Sequence, residues 1–312
     1  MEGLGVAIGL GMILLATWPA IQNVIESRQP SIEPRWKAVS NARWSRSQSA
    51  HDRARRSEEE DTVGRSSNEL DLSASRRTSE FEAARVQQEV KDFAERERIQ
   101  RLCHFTHLSS FRQIVDDKAV LSRQALATKN RTVNLNDQYR YDGHLDYISC
   151  SITFPNLLLL DSFRARGHRT DEWIVLLLTR RLLHLPSTRF SPVNAATASG
   201  AHVADGVEGL VSMFQSRPPS VHSIYRGPQH LKSCPTDNQA EVLVSKAILA
   251  DAVIGVVCMT PEVRQQADQL VARWDRPRPV ISELESLFDW EHVKKMIRNG
   301  HDMDLAVREE DA

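Results

Sequence analysis

A histidine, a threonine and a glutamate occupy positions in this sequence where a strand would ordinarily bury carbon. Leu102-Cys103-His104-Phe105-Thr106-His107 and, far downstream, Gln239-Ala240-Glu241-Val242-Leu243-Val244 both read as strands with polar groups set into an apolar pattern. Side chains alternate across a strand, so His104 and Thr106 share one face. An imidazole and a hydroxyl placed together can hydrogen-bond a ribose or an amide. A carboxylate entering a buried strand at Glu241 is costly unless it is paired or used. Such strands point to a cleft rather than a plain core. Each residue also has a plainer reading: His104 and Thr106 as a satisfied pair at a strand edge, and Glu241 as an edge carboxylate paired with an arginine.

Other polar groups are candidates of the same kind. Asn136, Asp137, Arg140, Asp142 and Gly143 form a compact loop ahead of a strand. Arg140 can grip a pyrophosphate with two parallel hydrogen bonds, or the segment is a solvated turn. Asn156, Arg164 and Arg166 follow the Phe154-Pro155 break and read as a binding loop or as a basic surface. Between Arg217 and Lys232 the chain carries Arg217, His222, Tyr225, Arg226, His230 and Lys232. Cations interleaved with an aromatic ring suit phosphate contact and base stacking, and equally suit a flexible loop beside a site. There is no GxGxxG after a strand, no GxxxxGK[ST], no HExxH and no GxSxG.

The elements that must position these groups lie in the second half of the chain. Leu102–Thr106 reads as a strand and Leu108–Val120 as a helix with Phe111, Ile114 and Val115 inward, followed by a polar loop over 130–143. Tyr147–Phe154, Trp173–Leu178, Ala240–Val244, Ala252–Val257 and Arg278–Ile281 read as strands. Helices are expected over Gly206–Phe214, Pro261–Trp274 and Trp290–Met296. Short strands mixed with helices, without a βαβ rhythm, predict an α+β domain over 102–312.

The first hundred residues differ. Residues 3–24 carry no charge and are long enough to cross a ~30 Å hydrocarbon layer as one helix. Arg28, Arg35, Lys37, Arg43 and Arg46 follow, so the expectation for 1–25 is a membrane anchor with the main body on the cytoplasmic side. A signal peptide or an interfacial helix is the alternative. Residues 26–78, rich in Ser, Arg and Glu, read as a disordered or weakly helical charged tether, and 79–101 as an amphipathic helix with Ala83, Val86, Val90 and Phe93 on one face. With a net charge of −1, the 312 residues give no global argument for nucleic acid or membrane. Four scattered cysteines without a CxxC pair argue against a zinc site or a disulfide framework and fit a reducing compartment.

Three segments taken in order resemble one family. RLCHFTHLSSFRQIVDDKAVLSRQAL is similar to the opening of the DarT-type DNA ADP-ribosyltransferases. NDQYRYDGHLDYISCSITFPN is similar to their next segment, above all in the guanosine-directed branch, and TDNQAEVLV to the catalytic-glutamate strand. The likeness spans roughly 102–281 and leaves the first hundred residues uncovered. It implies a split β-sandwich with NAD as substrate in a cleft between two small sheets, and no metal. It implies Glu241 as the catalytic carboxylate and Arg140 as the arginine near the phosphates and the reacting centre. His104 and Thr106 would hold the nicotinamide-side ribose and amide. Tyr139, Tyr141, Tyr147 and Phe154 would be candidates to stack on nicotinamide or on the incoming base. Single-stranded DNA would be the acceptor, with Arg217, Tyr225, Arg226 and Lys232 as candidate contacts. The enzyme would be a toxin whose antitoxin removes the mark by glycohydrolysis. Transfer to RNA, protein or a small molecule, and a binding module with a decayed site, stay open at this level.

Overall fold

The computed structural model describes residues 65–129, 144–165, 172–221, 223–274 and 277–308, with 65–79 described as backbone alone. The apolar segment 3–24, the loop bearing Tyr139, Arg140 and Tyr141, and Arg166 and His222 lie outside the described residues. The chain divides into two compact units, 1–75 and 76–312. Everything below concerns the second unit, apart from the start of its first helix.

That helix, α1 (Arg65–Arg96), begins well inside the stretch expected to be tether. No proline or glycine interrupts 65–96, and Glu, Gln, Ala and Arg are good helix formers, so local propensity favours one continuous helix. Among its described side chains, Val90, Phe93 and Ala94 in the last turns are buried while Ala83 is exposed. The helix stops where Arg98 adopts φ 58° and the Ile99 N–H returns to the Ala94 carbonyl.

The domain then runs β1 (Arg101–His107), α2 (Leu108–Asp117), β2 (Ala119–Leu121), α3 (Arg123–Thr128), β3 (Tyr147–Ile152), α4 (Leu157–Ala165), β4 (Trp173–Thr179), β5 (Arg189–Ser191), β6 (Ala204–Asp205), α5 (Gly206–Ser212), β7 (Glu241–Ser245), β8 (Ala247–Leu249), β9 (Val253–Cys258), α6 (Pro261–Val271), β10 (Val280–Glu283) and α7 (Trp290–Arg298). Eight strands form one sheet in the order β10-β9-β4-β1-β3-β7-β5-β6, and β2 pairs with β8 apart from it. Among the described residues only the β9–β10 pair is parallel, and α6 lies between those two strands in sequence.

β4 shows how the sheet is stabilised. All seven of its residues are buried because both faces are covered. Ile174, Leu176 and Leu178 enter one core with Phe111 and Ile114 of α2 and Val263, Ala267 and Leu270 of α6. Trp173, Val175 and Leu177 enter a second core with Leu157, Leu160 and Phe163 of α4 and Val293 and Ile297 of α7.

The two small sheets expected from the sequence are joined here into one strand order, with a weak seam in the middle. β1 pairs with β4 along its whole length but with β3 at two positions only, Leu102–Ile152 and Cys103–Ser151. Beyond Cys103 the two strands part, so two four-stranded halves diverge from a short hinge. That divergence opens the cleft.

Candidate active site

The parting of β1 and β3 determines what His104 does. Continued, the ladder would set Phe105 opposite Ser149. Instead the His104 ring reaches into the gap and donates its Nδ1–H to the Ser149 carbonyl at 2.9 Å. A carbonyl only accepts, so the neutral ring keeps its lone pair on Nε2. The bond replaces a missing ladder contact and fixes the imidazole at the mouth of the seam.

Ser149 also faces the other way. Its hydroxyl donates to Glu241 Oε2, and the Ala195 N–H donates to Glu241 Oε1 at 3.1 Å. Glu241 opens β7 opposite Ser191 of β5, and the register Ser149–Leu243 makes Ser149 and Glu241 diagonal neighbours on one face. The carboxylate is only 7% exposed, yet each oxygen is met by a donor. One serine thus connects the imidazole of one half-sheet with the carboxylate of the other.

His104, Thr106, Ser149, Ser151 and Glu241 line a single cavity of about 250 Å³ that passes through the seam. On the side of α2, β2 and α3 the wall mixes the polar Ser110, Gln113, Asp117 and Arg123 with the apolar Ile114, Val120, Leu121 and Leu126. On the side of α4 it is apolar and aromatic, with Phe105, Leu159 and Phe163, and carries Asn156. Cys103 also lines it, but burial pushes the thiol up to about 12, which removes it as a nucleophile at neutral pH. Among the described residues, no group of three or more His, Cys, Asp or Glu is placed to hold a metal ion.

The structure therefore brings His104, Thr106 and Glu241 together and gives other candidates different positions. His107 accepts the Ser109 N–H at 3.3 Å as the cap of α2, and its Nε2 lies 3.3 Å from Glu172. Tyr147 and Phe154, expected as stacking rings, are buried away from the cavity lining. Arg164 is held by Asp161 at 3.2 Å and by the Phe288 carbonyl at 3.1 Å. Arg217, Tyr225 and Lys232 stand exposed and do not line the cavity. Arg226 turns inward: its guanidinium donates to the carbonyls of Cys234 (2.7 Å), Lys232 (3.0 Å) and Leu231 (3.2 Å) and sits 5.4 Å from the Phe214 ring centre. It braces the loop that feeds β7.

That loop is stiff for a polar segment. The Thr236 hydroxyl bonds the Gln215 carbonyl at 2.6 Å, and His230 Nε2 donates to the Pro235 carbonyl at 2.9 Å. Burial, reinforced by the neighbouring Arg226 charge, holds His230 down at about 4. Burial raises the Asp237 carboxyl, opposed by the Gln239 N–H at 2.9 Å.

Sequence reasoning missed Ser149, Gln113, Asp117 and Arg123. Ser149 had a readable signal, since alternation in Tyr147–Ile152 sets Ser149 and Ser151 on one face of an otherwise apolar strand. The other three belong to helical surfaces whose orientation comes from packing alone.

A strand-borne histidine and a buried glutamate held by two donors thus face one cavity from the two halves of the sheet. The family model described as "ssDNA thymidine ADP-ribosyltransferase, DarT" matches residues 103–288, more than half of the chain. The chain belongs to the DarT family, and is an NAD-dependent ADP-ribosyltransferase acting on single-stranded DNA. Among solved structures it is similar to Thermus sp. 2.9 DarT in complex with NAD+, at 15% identity and TM-score 0.45 over 61% of this chain and 98% of that one. The same Thermus protein in complex with ADP-ribosylated ssDNA gives 14% identity and TM-score 0.45 over 62% and 97%. Thermosipho africanus DarTG in complex with ADP-ribose gives 11% and 0.44 over 61% and 51%. Comparison with curated proteins finds no match. Among the described residues no helix is long and apolar enough to cross a membrane.

Proposed function

We propose that Glu241 is the catalytic carboxylate of this transferase and that His104 and Thr106 orient the NAD substrate against it. The observation that carries this reading is the double hold on Glu241 within the cavity that His104 also lines. Breaking the nicotinamide–ribose bond develops oxocarbenium-like positive charge on the sugar. A carboxylate fixed beside the ribose 2′-hydroxyl stabilises that charge more in the transition state than in the ground state. Ser149 and the Ala195 N–H set the carboxylate in place beforehand, so little reorganisation is needed when charge develops. Glu241 then serves as base for the proton leaving the attacking nucleobase. Arg140, in the loop before β3, is proposed to meet the NAD phosphates, and Tyr139 beside it to cover the dinucleotide. Arg217, Tyr225 and Lys232, being exposed, are proposed as contacts to the DNA strand outside the cleft. The acceptor base must be unpaired or flipped out to meet the sugar carbon.

The test is Glu241→Gln in the full chain, assayed with labelled NAD and oligonucleotides that each contain one base type. The expected result is a loss of transfer by about 10²–10³-fold with the fold retained. Unchanged turnover removes Glu241 from the chemistry. Label on RNA or protein but not on DNA would reject the acceptor class. The single-base series also separates thymidine, named by the family description, from guanosine, favoured by the resemblance of the second segment.

We also propose that the enzyme is a toxin paired with a glycohydrolase-type antitoxin, a reading supported by the family and by the DarTG match. Residues 3–24 are proposed as an anchor for a catalytic domain on the cytoplasmic side. After carbonate extraction the full chain should stay with membranes and a chain starting after Ser27 should not; a full chain found in the supernatant would remove the anchor.

A further inference from the structure

Two ladder pairs, Leu102–Ile152 and Cys103–Ser151, are a weak joint for two half-sheets. One residue further from the cleft, Arg101 and Thr153 add a clasp. The Thr153 N–H donates to the Arg101 carbonyl at 3.2 Å, and Arg101 Nε donates back to the Thr153 carbonyl at 3.1 Å. Cys103 Sγ donates to that same carbonyl at 3.3 Å. The turn so held is strained, because Thr153 is β-branched and sits at φ 68°. Such a turn persists only where its surroundings over-determine it. Part of that hold comes from a distant segment. Asp302 meets the Arg101 guanidinium at two points, one of them Nη1 to Oδ2 at 3.2 Å, and its Oδ1 also accepts the Met303 N–H at 2.7 Å. The pair is partly buried, so salt screens it less than a surface pair. Met303 and Leu305 anchor the segment in the second core.

The same stretch of chain also holds the other half of the site. The Ile297 carbonyl accepts the Leu231 N–H at 2.7 Å. Gly300, at φ 74°, passes so close to the loop that a Cβ on it would lie 2.9 Å from the Gln229 carbonyl oxygen. The Thr153 hydroxyl donates to the Ser233 carbonyl at 2.8 Å. Gln229, Leu231 and Ser233 belong to the loop that feeds β7 and so delivers Glu241. Residues 297–302 therefore tie the start of the His104 strand to the approach of the Glu241 strand, at the closed end of the seam.

We propose that Asp302 is a positioning residue for the transfer: its grip on Arg101 fixes the closed end of the seam and, through it, the placement of His104 against Glu241. This rests on His104 and Glu241 acting on one NAD molecule. His104 directly follows the last paired residue of β1, and Ser149, which bonds both His104 and Glu241, lies two residues from the last paired residue of β3. A shift at the hinge therefore reaches both groups with nothing flexible between. Misplacement of reacting groups by about 1 Å is enough to cost about 10²-fold in rate.

The test uses the full chain with Asp302→Asn, which keeps size and an acceptor but loses the charge, and with Arg101→Lys, which keeps the charge but loses the two-point grip. Two quantities are read: kcat with NAD and single-stranded DNA, and the rate of thiol labelling without substrate, resolved by site with mass spectrometry. Cys103 lies in the hinge and reports its opening, whereas Cys258, buried in β9, reports opening of the whole domain. The expected result for Asp302→Asn is kcat lowered at least fivefold and Cys103 labelled at least fivefold faster, with Cys258 within twofold of the starting protein. Arg101→Lys should do the same, and the double variant should be no worse than Arg101→Lys alone, since both residues act through one contact. Unchanged kcat overturns the proposal. Labelling that rises equally at Cys103 and Cys258 overturns it too, because the loss is then one of global stability, and so do losses that multiply in the double variant. Labelling involves no turnover, so a failed Glu241→Gln test leaves the hinge result readable, and unchanged Cys103 labelling sinks the hinge while leaving Glu241 untouched.

Discussion

Removing the Ser149 hydroxyl asks whether Glu241 must be held as well as charged. Ser149→Ala deletes the donor on Glu241 Oε2 but leaves the Ser149 carbonyl, and with it the His104 bond. The Ala195 N–H still holds Oε1 at 3.1 Å. A hydrogen bond to a charged group contributes about 1.5–3 kcal/mol, and at about 1.4 kcal/mol per tenfold its complete loss is worth about 10- to 150-fold in rate. Because one donor survives, the expected fall in kcat is about 10- to 50-fold, with KM for NAD changed less than about threefold. Stability should change by no more than ~1 kcal/mol, since a single hydroxyl is lost and no large cavity forms. Steady-state kinetics with NAD and a single-stranded oligonucleotide, beside a thermal unfolding curve, measures all three. A folded variant with kcat within twofold of the starting protein would refute the claim that prior orientation of the carboxylate matters.

Three further outcomes follow from the same geometry. His104→Ala removes the imidazole at the seam and should raise KM for NAD about tenfold with a smaller effect on kcat; unchanged kinetics would make the histidine purely structural. Arg226→Ala leaves the carbonyls of Leu231, Lys232 and Cys234 without their donor, so it should lower stability by about 2–4 kcal/mol; intact stability with weakened DNA binding would instead make Arg226 a phosphate contact. His230 is held at about 4 in the fold against an ordinary value near 6.5, so its contribution is complete above about pH 6.5 and is lost as pH falls toward 4. With partial exposure that loss is about 1–2 kcal/mol, and His230→Gln, which can still donate to the Pro235 carbonyl, should flatten this acid limb of the unfolding midpoint.

How much of the site was legible depended on whether a residue's role came from its own strand or from a neighbour. Alternation along 102–107 placed His104 and Thr106 on one face, and the apolar run 173–178 announced a buried strand. The apolar spacing of 261–274 gave α6, and Pro261 with Thr260 as cap fixed its start. By contrast the helix 123–128 and the helix 157–165 passed unread. The first is six residues long, and Leu157–Leu160 is too uniformly apolar for a 3.6-residue period to stand out. Residues 65–78, which composition reads as a disordered or weakly helical tether, belong to the helix α1.

The sequence alone determined the six longer strands, β1, β3, β4, β7, β9 and β10, and which of them carry an imidazole, a hydroxyl and a carboxylate, because side-chain direction in a strand is a local matter of period two, whereas the two- and three-residue strands β2, β5, β6 and β8 are too short to show it. It also sufficed for the family. Only the tertiary structure decided that β1 and β3 separate after two paired residues. From that separation come the cleft, the bridge from His104 through Ser149 to Glu241, and the inward turn of Arg226. These depend on how far two strands distant in sequence stay in register, a quantity fixed by the packing of both cores against the sheet and written in no single segment.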